Sequence, residues 1–224
     1  MKLRAGRRNR SALTLIEALV IAAVLAVLAV MILPALSAAK RRSSRIYCVN
    51  NLKQLGLSYR IWADDHGDTY PAGVSATNGG AMEAIQSGNV IPTFQVMSNE
   101  LSTPKILVCN GDPDGPGDSA RSYATNFSQL SNGNVSYFAN VDFLNDKNPV
   151  LIISGDSNFK MNGEIPKAGL LFVSEKNPVV WARTWHRGGG NLGFADGSVQ
   201  ITVISAMQND FIQTGMATNR LAIP

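Results

Sequence analysis

The amino-acid sequence predicts an α+β fold in which a long N-terminal helix packs against a small antiparallel β-sheet. The first half of the helix contains an uncharged apolar run from Ala18 to Leu33. An amphipathic pattern continues it, and short apolar segments separated by turn residues fill the rest of the chain. The first half of the helix is therefore expected to span a membrane, and the second half to cover the sheet with its apolar face.

The membrane-spanning half is expected to cover residues 13–36. A helix from Leu13 to Leu33 is about 30 Å long, which matches the hydrocarbon core of a bilayer. Pro34 lies near the end of this segment and removes one backbone donor, so the helix should bend or loosen there.

Glu17 is the one charged residue inside this segment. An unpaired carboxylate in hydrocarbon costs roughly 2.5 kcal/mol or more. A cation on an adjacent copy of the chain is the simplest partner, and such pairing would favour parallel bundling. The alternative is an acidic residue tolerated in an interfacial first turn.

Residues 37–66 are expected to continue the helix as a soluble, amphipathic half. Apolar residues recur there at steps of three and four positions, as on one face of a helix. They are Ile46, Val49, Leu52, Leu55, Tyr59 and Trp62. The sequence Asp64-Asp65-His66-Gly67 should end the helix near Asp65, because glycine readily adopts the left-handed conformation of a C-cap.

The remaining residues, 67–224, are predicted to form one β-rich domain. Strands are expected at 105–109, 136–141, 150–155 and 169–173, short helices at 81–86, 94–100 and 205–214, and an extended segment at 219–224. A hairpin is predicted around Asp196-Gly197, because apolar residues alternate on both sides of this turn sequence. They are Leu192 and Phe194 before the turn and Val199, Ile201 and Val203 after it.

The net charge of +4 comes from the two flanks of the apolar run. Five basic residues lie in positions 1–12 and four in positions 40–45, whereas the chain beyond Arg45 has eleven basic and fifteen acidic residues. This distribution argues against binding to nucleic acid, for which the folded body would be basic. Basic flanks suit the surface of a lipid bilayer. Because both flanks are basic, charge alone leaves the orientation of the helix open.

Cys48 and Cys109 are the only cysteines in the chain. One disulfide in an oxidising compartment and two buried free thiols are equally compatible with this count. Neither cysteine belongs to a local CxxC motif or a Cys/His cluster, and the chain has only two histidines, so the sequence predicts no zinc site and no cofactor.

An acidic, glycine-rich loop follows Cys109 and offers hard oxygen ligands at Asp112, Asp114 and Asp118. Calcium binding is one interpretation of this loop. The spacing of an EF-hand and its closing glutamate are missing, so a solvated turn is favoured.

His186 precedes a run of glycines and lies ten positions before Asp196. A histidine paired with a carboxylate can orient a general base, but the sequence has no GxSxG elbow and no cysteine nucleophile next to a histidine. The favoured interpretation is structural: His186 closes the glycine loop through a hydrogen bond, with Asp196 as the proposed partner.

The segment Ala12-Leu13-Thr14-Leu15-Ile16-Glu17 resembles the prepilin processing signal of type IV pilins and type II secretion pseudopilins. In that family the leader is cut before a hydrophobic residue four positions ahead of a glutamate, which places the cut between Ala12 and Leu13. The resemblance implies that the freed amine of Leu13 is methylated and pairs with Glu17 of a neighbouring subunit. Alanine stands at position 12 where glycine is usual, and leucine at position 13 where phenylalanine is usual. Pro34 matches a helix-weakening proline that these subunits commonly carry at this depth.

The motif His186-x9-Asp196-Gly197 resembles a segment near the C-termini of a large pseudopilin-like family of the planctomycete and verrucomicrobial type. The run Asn50-Asn51-Leu52-Lys53-Gln54-Leu55-Gly56 is similar to one that these proteins carry after the hydrophobic helix. The two resemblances together cover roughly the first 60 residues and about 15 near the C-terminus.

These resemblances imply a pilin-like fold with a cytoplasmic leader (1–12), a single inner-membrane span and a C-terminal domain in the periplasm. They imply a structural subunit and no enzyme. Prepilin peptidase would process the subunit, and it would polymerise with its own copies or other pilin-like subunits for type II secretion or a related system. One alternative is an enzyme, either membrane-anchored or secreted after cleavage beyond Ser37-Ala38-Ala39. Another is an anchored module that binds carbohydrate through exposed Trp181 and Trp185.

Overall fold

The computed structural model describes residues 14–111, 121–145, 147–182, 185–186, 188–204 and 206–224. Helix α1 runs from Leu15 to Asp64, a single element of 50 residues with Pro34 inside it. The chain divides into two compact units, Met1–Arg42 and Ser43–Pro224, and α1 contributes residues to both. A mainly antiparallel sheet follows α1, which confirms the predicted α+β class.

The part of α1 that lies in the first unit exposes its apolar side chains. Every large apolar residue from Leu15 to Leu36 is between 48% and 83% exposed. This part of the helix is long and apolar enough to cross a membrane. The prediction of a helix that could span a bilayer is confirmed to that extent.

The C-terminal end of α1 follows its sequence signals. The backbone N–H groups of His66 and Asp68 both donate to the carbonyl of Ala63, at 2.9 and 3.0 Å. Gly67 has a φ of +64°, so the glycine C-cap is confirmed.

Six strands form one antiparallel sheet in the order β4-β8-β1-β2-β6-β7, and β3 pairs with β5 in a separate two-stranded sheet. The strands are β1 (Tyr137–Asn140), β2 (Ile152–Asp156), β3 (Phe159–Met161), β4 (Gly169–Val173), β5 (Val179–Trp181), β6 (Gly189–Phe194), β7 (Val199–Val203) and β8 (Asn219–Ile223). The strands expected at 136–141, 150–155 and 169–173 are confirmed as β1, β2 and β4. The predicted hairpin is β6 and β7, and the extended C-terminal segment is β8.

The short helices are α2 (Met82–Gln86), α3 (Ile91–Val96), α4 (Ser98–Leu101) and α5 (Met207–Gln213). Helices α2 and α5 confirm the helices predicted at 81–86 and 205–214. The helix expected at 94–100 is instead two helices, α3 and α4, because Met97 leaves the helical conformation between them with a ψ of 21°.

The strand predicted at 105–109 is wrong. Residues Pro104–Leu107 form a 3₁₀ helix, in which Thr103 accepts a hydrogen bond from the N–H of Lys105 through its hydroxyl. Proline in the first turn favours this start, because its fixed φ is already helical. Ile106 and Leu107 are adjacent and both buried, so this apolar run is covered on more than one side and lacks the alternation of a half-exposed strand.

The core of the second unit consists of two apolar layers, one on each face of the six-stranded sheet. Tyr137 and Ala139 of β1 join the layer that contains the second half of α1, including Leu52 and Leu55. Phe138, between them in sequence, points into the opposite layer, as strand geometry requires. That opposite layer also includes Phe159, Trp181, Leu192, Met207 and Phe211. Because both faces are covered, β2 is buried along its whole length.

Gly190 is expected to be intolerant of any side chain. A Cβ at this position would lie 2.3 to 2.5 Å from ring atoms of Trp181. The indole is 2% exposed and held by its N–H donating to the Thr202 hydroxyl at 2.7 Å, so it has little room to move. We expect Gly190→Ala to lower the free energy of unfolding by about 1–3 kcal/mol, the usual range for overpacking a core. Thermal denaturation of the purified chain measures the loss.

Gly133→Ala is the matched control for this substitution. The nearest atom to a Cβ at Gly133 is the Ser131 hydroxyl oxygen at 3.7 Å, an ordinary contact. Its melting temperature should stay within a degree or two of the parent chain, since a well-tolerated surface change is worth at most about 0.5 kcal/mol. Equal melting temperatures for the two variants would contradict the close packing of Trp181 on Gly190.

Candidate functional site

Glu17 takes part in a capping box at the start of α1. The N–H and the hydroxyl of Thr14 both donate to Oε2 of Glu17 at 2.9 Å. In return the N–H of Glu17 donates to the Thr14 hydroxyl oxygen at 3.3 Å. Thr14 therefore occupies the N-cap position and Glu17 the third helical position, where a negative charge also meets the favourable end of the helix dipole.

The chain itself supplies two donors to the Glu17 carboxylate, in addition to the cation expected from another copy. The Thr-x-x-Glu spacing is a recognisable N-terminal signature and could have revealed this contact from the sequence. Both bonds reach Oε2, and neither donor carries a charge, so the net charge of the carboxylate remains. The expected cut between Ala12 and Leu13 lies outside the described residues.

Cys48 of α1 and Cys109 form a disulfide with their Cα atoms 5.0 Å apart. The bond joins the second half of α1 to the segment that follows the 3₁₀ helix Pro104–Leu107. A second contact supports the same connection, because Asn51 donates its side-chain N–H to the carbonyl of Val108 at 3.0 Å. The sequence left bridged and free cysteines equally open, and the fold brings the two sulfurs together.

His186 lies against this disulfide, inside the domain. Its Nε2 atom is 3.2 Å from Sγ of Cys109 and 3.5 Å from Oδ2 of Asp156. The side chains of His186 and Asp156 are 2% and 0% exposed. We refer to Cys48, Cys109, His186 and Asp156 as the buried cluster. Its members come from α1, the segment after the 3₁₀ helix, the glycine loop and the end of β2.

The glycine loop places His186 through an unusual backbone conformation. His186 has a φ of +47° and Gly188 a φ of +87°, and the N–H of Gly188 donates to the carbonyl of Trp185 at 3.1 Å. A positive φ is uncommon for residues other than glycine, although histidine adopts it more often than most. Trp185 is 5% exposed and anchors this tight turn in the core. The turn therefore directs the imidazole inward.

Asp156 is a fully buried carboxyl with Asn191 and Arg45 as its polar neighbours. Its Oδ2 atom accepts hydrogen bonds from the backbone N–H of Asn191 at 2.9 Å and from the Asn191 side-chain amide at 2.8 Å. Burial raises the pKa of Asp156 to about 7, although the Asn191 bonds and the positive charge of Arg45 act in the opposite direction. Arg45 also donates to the carbonyls of Gly190 and Thr202, which ties α1 to β6 and β7.

The proposed pairing of His186 with Asp196 is wrong, because the carboxylate next to His186 is Asp156. His186 precedes β6 and Asp196 follows it, so the six residues of this strand separate the two positions by about 20 Å. Asp196 is exposed in the hairpin turn, where its Oδ1 accepts a hydrogen bond from the N–H of Ser198 at 2.8 Å. Bonds of this kind lower the pKa of Asp196. Gly197, with a φ of +83°, completes the turn.

The other proposed sites have different outcomes. Trp181 and Trp185 are 2% and 5% exposed, so they do not form the exposed aromatic surface that the carbohydrate-binding alternative required. The calcium candidates Asp112, Asp114 and Asp118 lie outside the described residues. Among the residues that the structure describes, Cys48, Cys109 and His186 are the group whose ligand atoms lie close enough to hold a metal ion. These atoms are all within 4.8 Å of one another. This cluster has no signature in the sequence, because Cys48 and Cys109 are 61 positions apart and Cys109 and His186 are 77 positions apart.

Comparisons with known proteins give no family for this chain. No protein-family model matches the sequence, and searches of curated proteins and of solved structures found no match.

Proposed function

We propose that this chain is a structural pilin-like subunit of the pseudopilin type. Prepilin peptidase cleaves it between Ala12 and Leu13, and the mature chain assembles through α1 into a periplasmic fibre for type II secretion or a related system. The observation that carries the proposal is the combination of Glu17 in the first turn of α1 with the exposed apolar residues that follow it.

The exposed apolar half of α1 supports both stages of this function. Before assembly, lipid of the inner membrane surrounds the side chains from Leu15 to Leu36, and the C-terminal domain lies in the periplasm. During assembly, the corresponding helices of other pilin-like subunits, identical or related, replace the lipid. Small residues among the leucines and valines, such as Ala22, Ala23 and Ala26, favour close approach of packed helices.

Glu17 supports parallel assembly with a fixed stagger between neighbouring helices. Within the described residues its Oε1 atom receives no hydrogen bond, because both Thr14 donors reach Oε2. The freed amine of Leu13 on a neighbouring copy would supply the missing positive charge. An ammonium–carboxylate contact at the start of both helices sets them parallel and staggered by about one turn, since Glu17 follows Leu13 by four positions.

The folded body is suited to an oxidising compartment. The Cys48–Cys109 disulfide lies in the unit Ser43–Pro224, and stable disulfides are typical of exported domains. This supports a periplasmic location for the C-terminal domain.

Glu17→Gln tests the charge of Glu17 separately from its capping role. Glutamine at the third helical position still accepts the Thr14 bonds, so α1 and membrane insertion should remain unchanged. Loss of the charge should reduce crosslinking between neighbouring subunits in the membrane about tenfold or more, since about 1.4 kcal/mol of lost pairing is a factor of ten. Chemical crosslinking in isolated membranes, quantified against total chain, measures this.

Glu164→Gln is the matched control, because Glu164 is an exposed carboxylate in the folded body. It should crosslink as the parent chain does. Wild-type crosslinking by Glu17→Gln would contradict the assembly role. Mass spectrometry of the mature N-terminus tests processing: a methylated Leu13 supports the proposal, an unmodified Lys40 indicates simple secretion, and an intact Met1 indicates a plain membrane anchor.

A further inference from the structure

The buried cluster has the composition of a metal site as well as a disulfide. It contains two sulfurs, an imidazole nitrogen and a carboxylate, which is a donor set that zinc accepts in proteins. In the disulfide form the sulfurs are bonded to each other and are poor ligands, because the thiolate is the form that binds a metal. In the reduced form both cysteines can become thiolates and bind a metal ion.

We propose that the reduced chain binds one thiophilic divalent ion, Zn²⁺ in the simplest case, through Cys48, Cys109, His186 and Asp156. The disulfide and the metal are then alternative ways of joining α1 to the segment around Cys109, and the metal also joins both to the glycine loop and β2. This inference is independent of whether the chain assembles into a fibre.

The distances support a four-coordinate site. With metal–sulfur bonds of about 2.3 Å and a metal–nitrogen bond of about 2.0 Å, neighbouring ligand atoms in a tetrahedral site lie roughly 3.3 to 3.8 Å apart. The Cys109 Sγ to His186 Nε2 distance is 3.2 Å, and the His186 Nε2 to Asp156 Oδ2 distance is 3.5 Å. The two Sγ atoms and a ring nitrogen of His186 already lie within 4.8 Å of one another, and Asp156 lies outside this group of three. Breaking the S–S bond allows the sulfurs to separate, and the Asp156 carboxylate then has to move toward the ion.

The charges of the cluster also balance around a divalent cation. Two thiolates neutralise the ion, and the imidazole binds as a neutral ligand. The carboxylate of Asp156 then leaves one negative charge, which Arg45 compensates through its electrostatic interaction with Asp156. Two Asn191 hydrogen bonds to Oδ2 hold the carboxylate in place, as outer contacts commonly do around metal sites.

One unpartnered acceptor in the buried cluster fits the same interpretation. Within the described residues, Oδ1 of Asp156 is fully buried and receives no hydrogen bond. Asp156 itself is 0% exposed, so this oxygen has no access to bulk water. A buried carboxylate oxygen without a donor is costly unless a proton or a cation satisfies it. Oδ1 is therefore the oxygen assigned to the ion, while Oδ2, the atom nearer to His186 in the disulfide form, keeps its two bonds from Asn191.

The chemistry requires a reductant, and we assign that role to a dithiol. Its first thiolate attacks one sulfur of the Cys48–Cys109 bond and expels the other as a thiolate, forming a mixed disulfide. Its second thiolate then releases the chain, so the dithiol is oxidised to a disulfide and both cysteines gain an electron each. The two cysteine thiols lose their protons to solvent when the metal binds.

Cobalt(II) reports this site directly, because tetrahedral thiolate coordination produces intense visible bands and a thiolate charge-transfer band in the near ultraviolet. The full chain in detergent is reduced with a phosphine, freed of reductant and titrated anaerobically with Co²⁺ and then with Zn²⁺. We expect one Co²⁺ per reduced chain, displaced by one Zn²⁺, and no such spectrum from the disulfide form. A reduced chain without the tetrahedral spectrum, or equal binding by the oxidised chain, would overturn the proposal.

His186→Gln and His66→Gln form a matched pair, since they alter the only two histidines of the chain. The ring of His66 stacks on Trp62 with a centroid distance of 3.6 Å, away from the cysteines in the described geometry. We expect His186→Gln to weaken Co²⁺ binding at least tenfold to a hundredfold, and His66→Gln to leave it unchanged. Equal affinities for the two variants would contradict the assignment of His186 as a ligand.

Reduction could loosen the fold, so stability provides an independent measurement. If the cluster binds Zn²⁺ in the folded state, the melting temperature of the reduced chain should rise with the logarithm of free Zn²⁺ concentration. The same titration should leave the melting temperature of the disulfide form constant. A reduced chain that melts at the same temperature with and without Zn²⁺ would also overturn the proposal.

Discussion

A chain that begins at Ser43 is expected to lose membrane association completely, whereas the full chain stays in the membrane fraction. The deletion removes all the large apolar residues from Leu15 to Leu36, whose side chains are between 48% and 83% exposed. Insertion of such a helix is effectively irreversible, because a bilayer-length apolar segment would otherwise face water. Sedimentation of membranes, followed by immunodetection of both chains, measures the difference.

The truncated chain retains the elements that its folded body needs. It keeps the second half of α1, with Cys48, Leu52 and Leu55 in the core, and the unit Ser43–Pro224 is compact by itself. Its near-ultraviolet circular dichroism and cooperative melting should therefore resemble those of the full chain, whereas the far-ultraviolet helical signal should decrease with the removed part of α1. A truncated chain that stays with the membranes would show that the body, and not the apolar helix, carries the association.

Two controls separate insertion from adsorption. Washing the membranes with concentrated salt weakens binding through the basic residues at positions 40–45, because salt screens surface charges. The full chain should resist this wash. Leu57→Arg changes a leucine that is 57% exposed on the second half of α1, and it should leave membrane association intact. Leu25→Arg changes a leucine that is 60% exposed on the first half of α1. It should weaken membrane association, since arginine at the centre of a membrane span costs about 2.5 to 3.5 kcal/mol.

Loss of the disulfide has the second largest expected effect. Replacing both Cys48 and Cys109 with alanine should lower the free energy of unfolding by about 2–4 kcal/mol. The bond closes a loop with a sequence separation of 61, and a cross-link of that length restricts the unfolded chain strongly. Since about 1 kcal/mol shifts the melting temperature by roughly 2–4 °C in a chain of this size, the expected decrease is about 5–15 °C. Urea denaturation gives the free energy itself.

The control for this experiment is the response to a reductant. A phosphine should destabilise the parent chain in the absence of metal and leave the double-alanine variant unchanged, because that variant has no bond to reduce. Cys48→Ala alone should lose nearly as much stability as the double variant, since either substitution breaks the same bond. An unfolding free energy within about 0.5 kcal/mol of the parent value would contradict a stabilising role for the disulfide.

Most of the helices and the hairpin could be predicted from local sequence patterns. The three- and four-residue spacing from Leu52 to Trp62 reflects one buried face of α1, whereas Ile46, the first residue of the predicted pattern, is 51% exposed. Gly67 marks the end of the helix. The alternation around Asp196-Gly197 reflects a hairpin whose turn has three residues, Ala195, Asp196 and Gly197, because Phe194 donates its N–H to the carbonyl of Ser198. Strands β3 and β5 were missed, because each has three residues and too little alternation to separate it from a loop.

Errors arose where neighbouring elements, rather than local pattern, decided the conformation. The apolar residues after Thr103 have the composition of a strand, but they are buried on several sides, and Pro104 starts a 3₁₀ turn. His186 was predicted to close the glycine loop through a hydrogen bond to Asp196. Its side chain is instead buried in the domain, next to Asp156. Its carboxylate neighbour was placed at Asp196, although the length of β6 makes that contact impossible.

The sequence by itself determined the parts of this protein whose signals are local: a helix able to span a bilayer, its amphipathic continuation, the capping residues and the main hairpin. These signals are visible because periodicity and turn chemistry act over a few neighbouring residues. Only the tertiary structure decided that Cys48, Cys109, His186 and Asp156 meet in one buried cluster. Their contacts join residues separated by tens of positions, and they depend on how α1, β2 and the glycine loop pack, which leaves no repeating pattern in the chain.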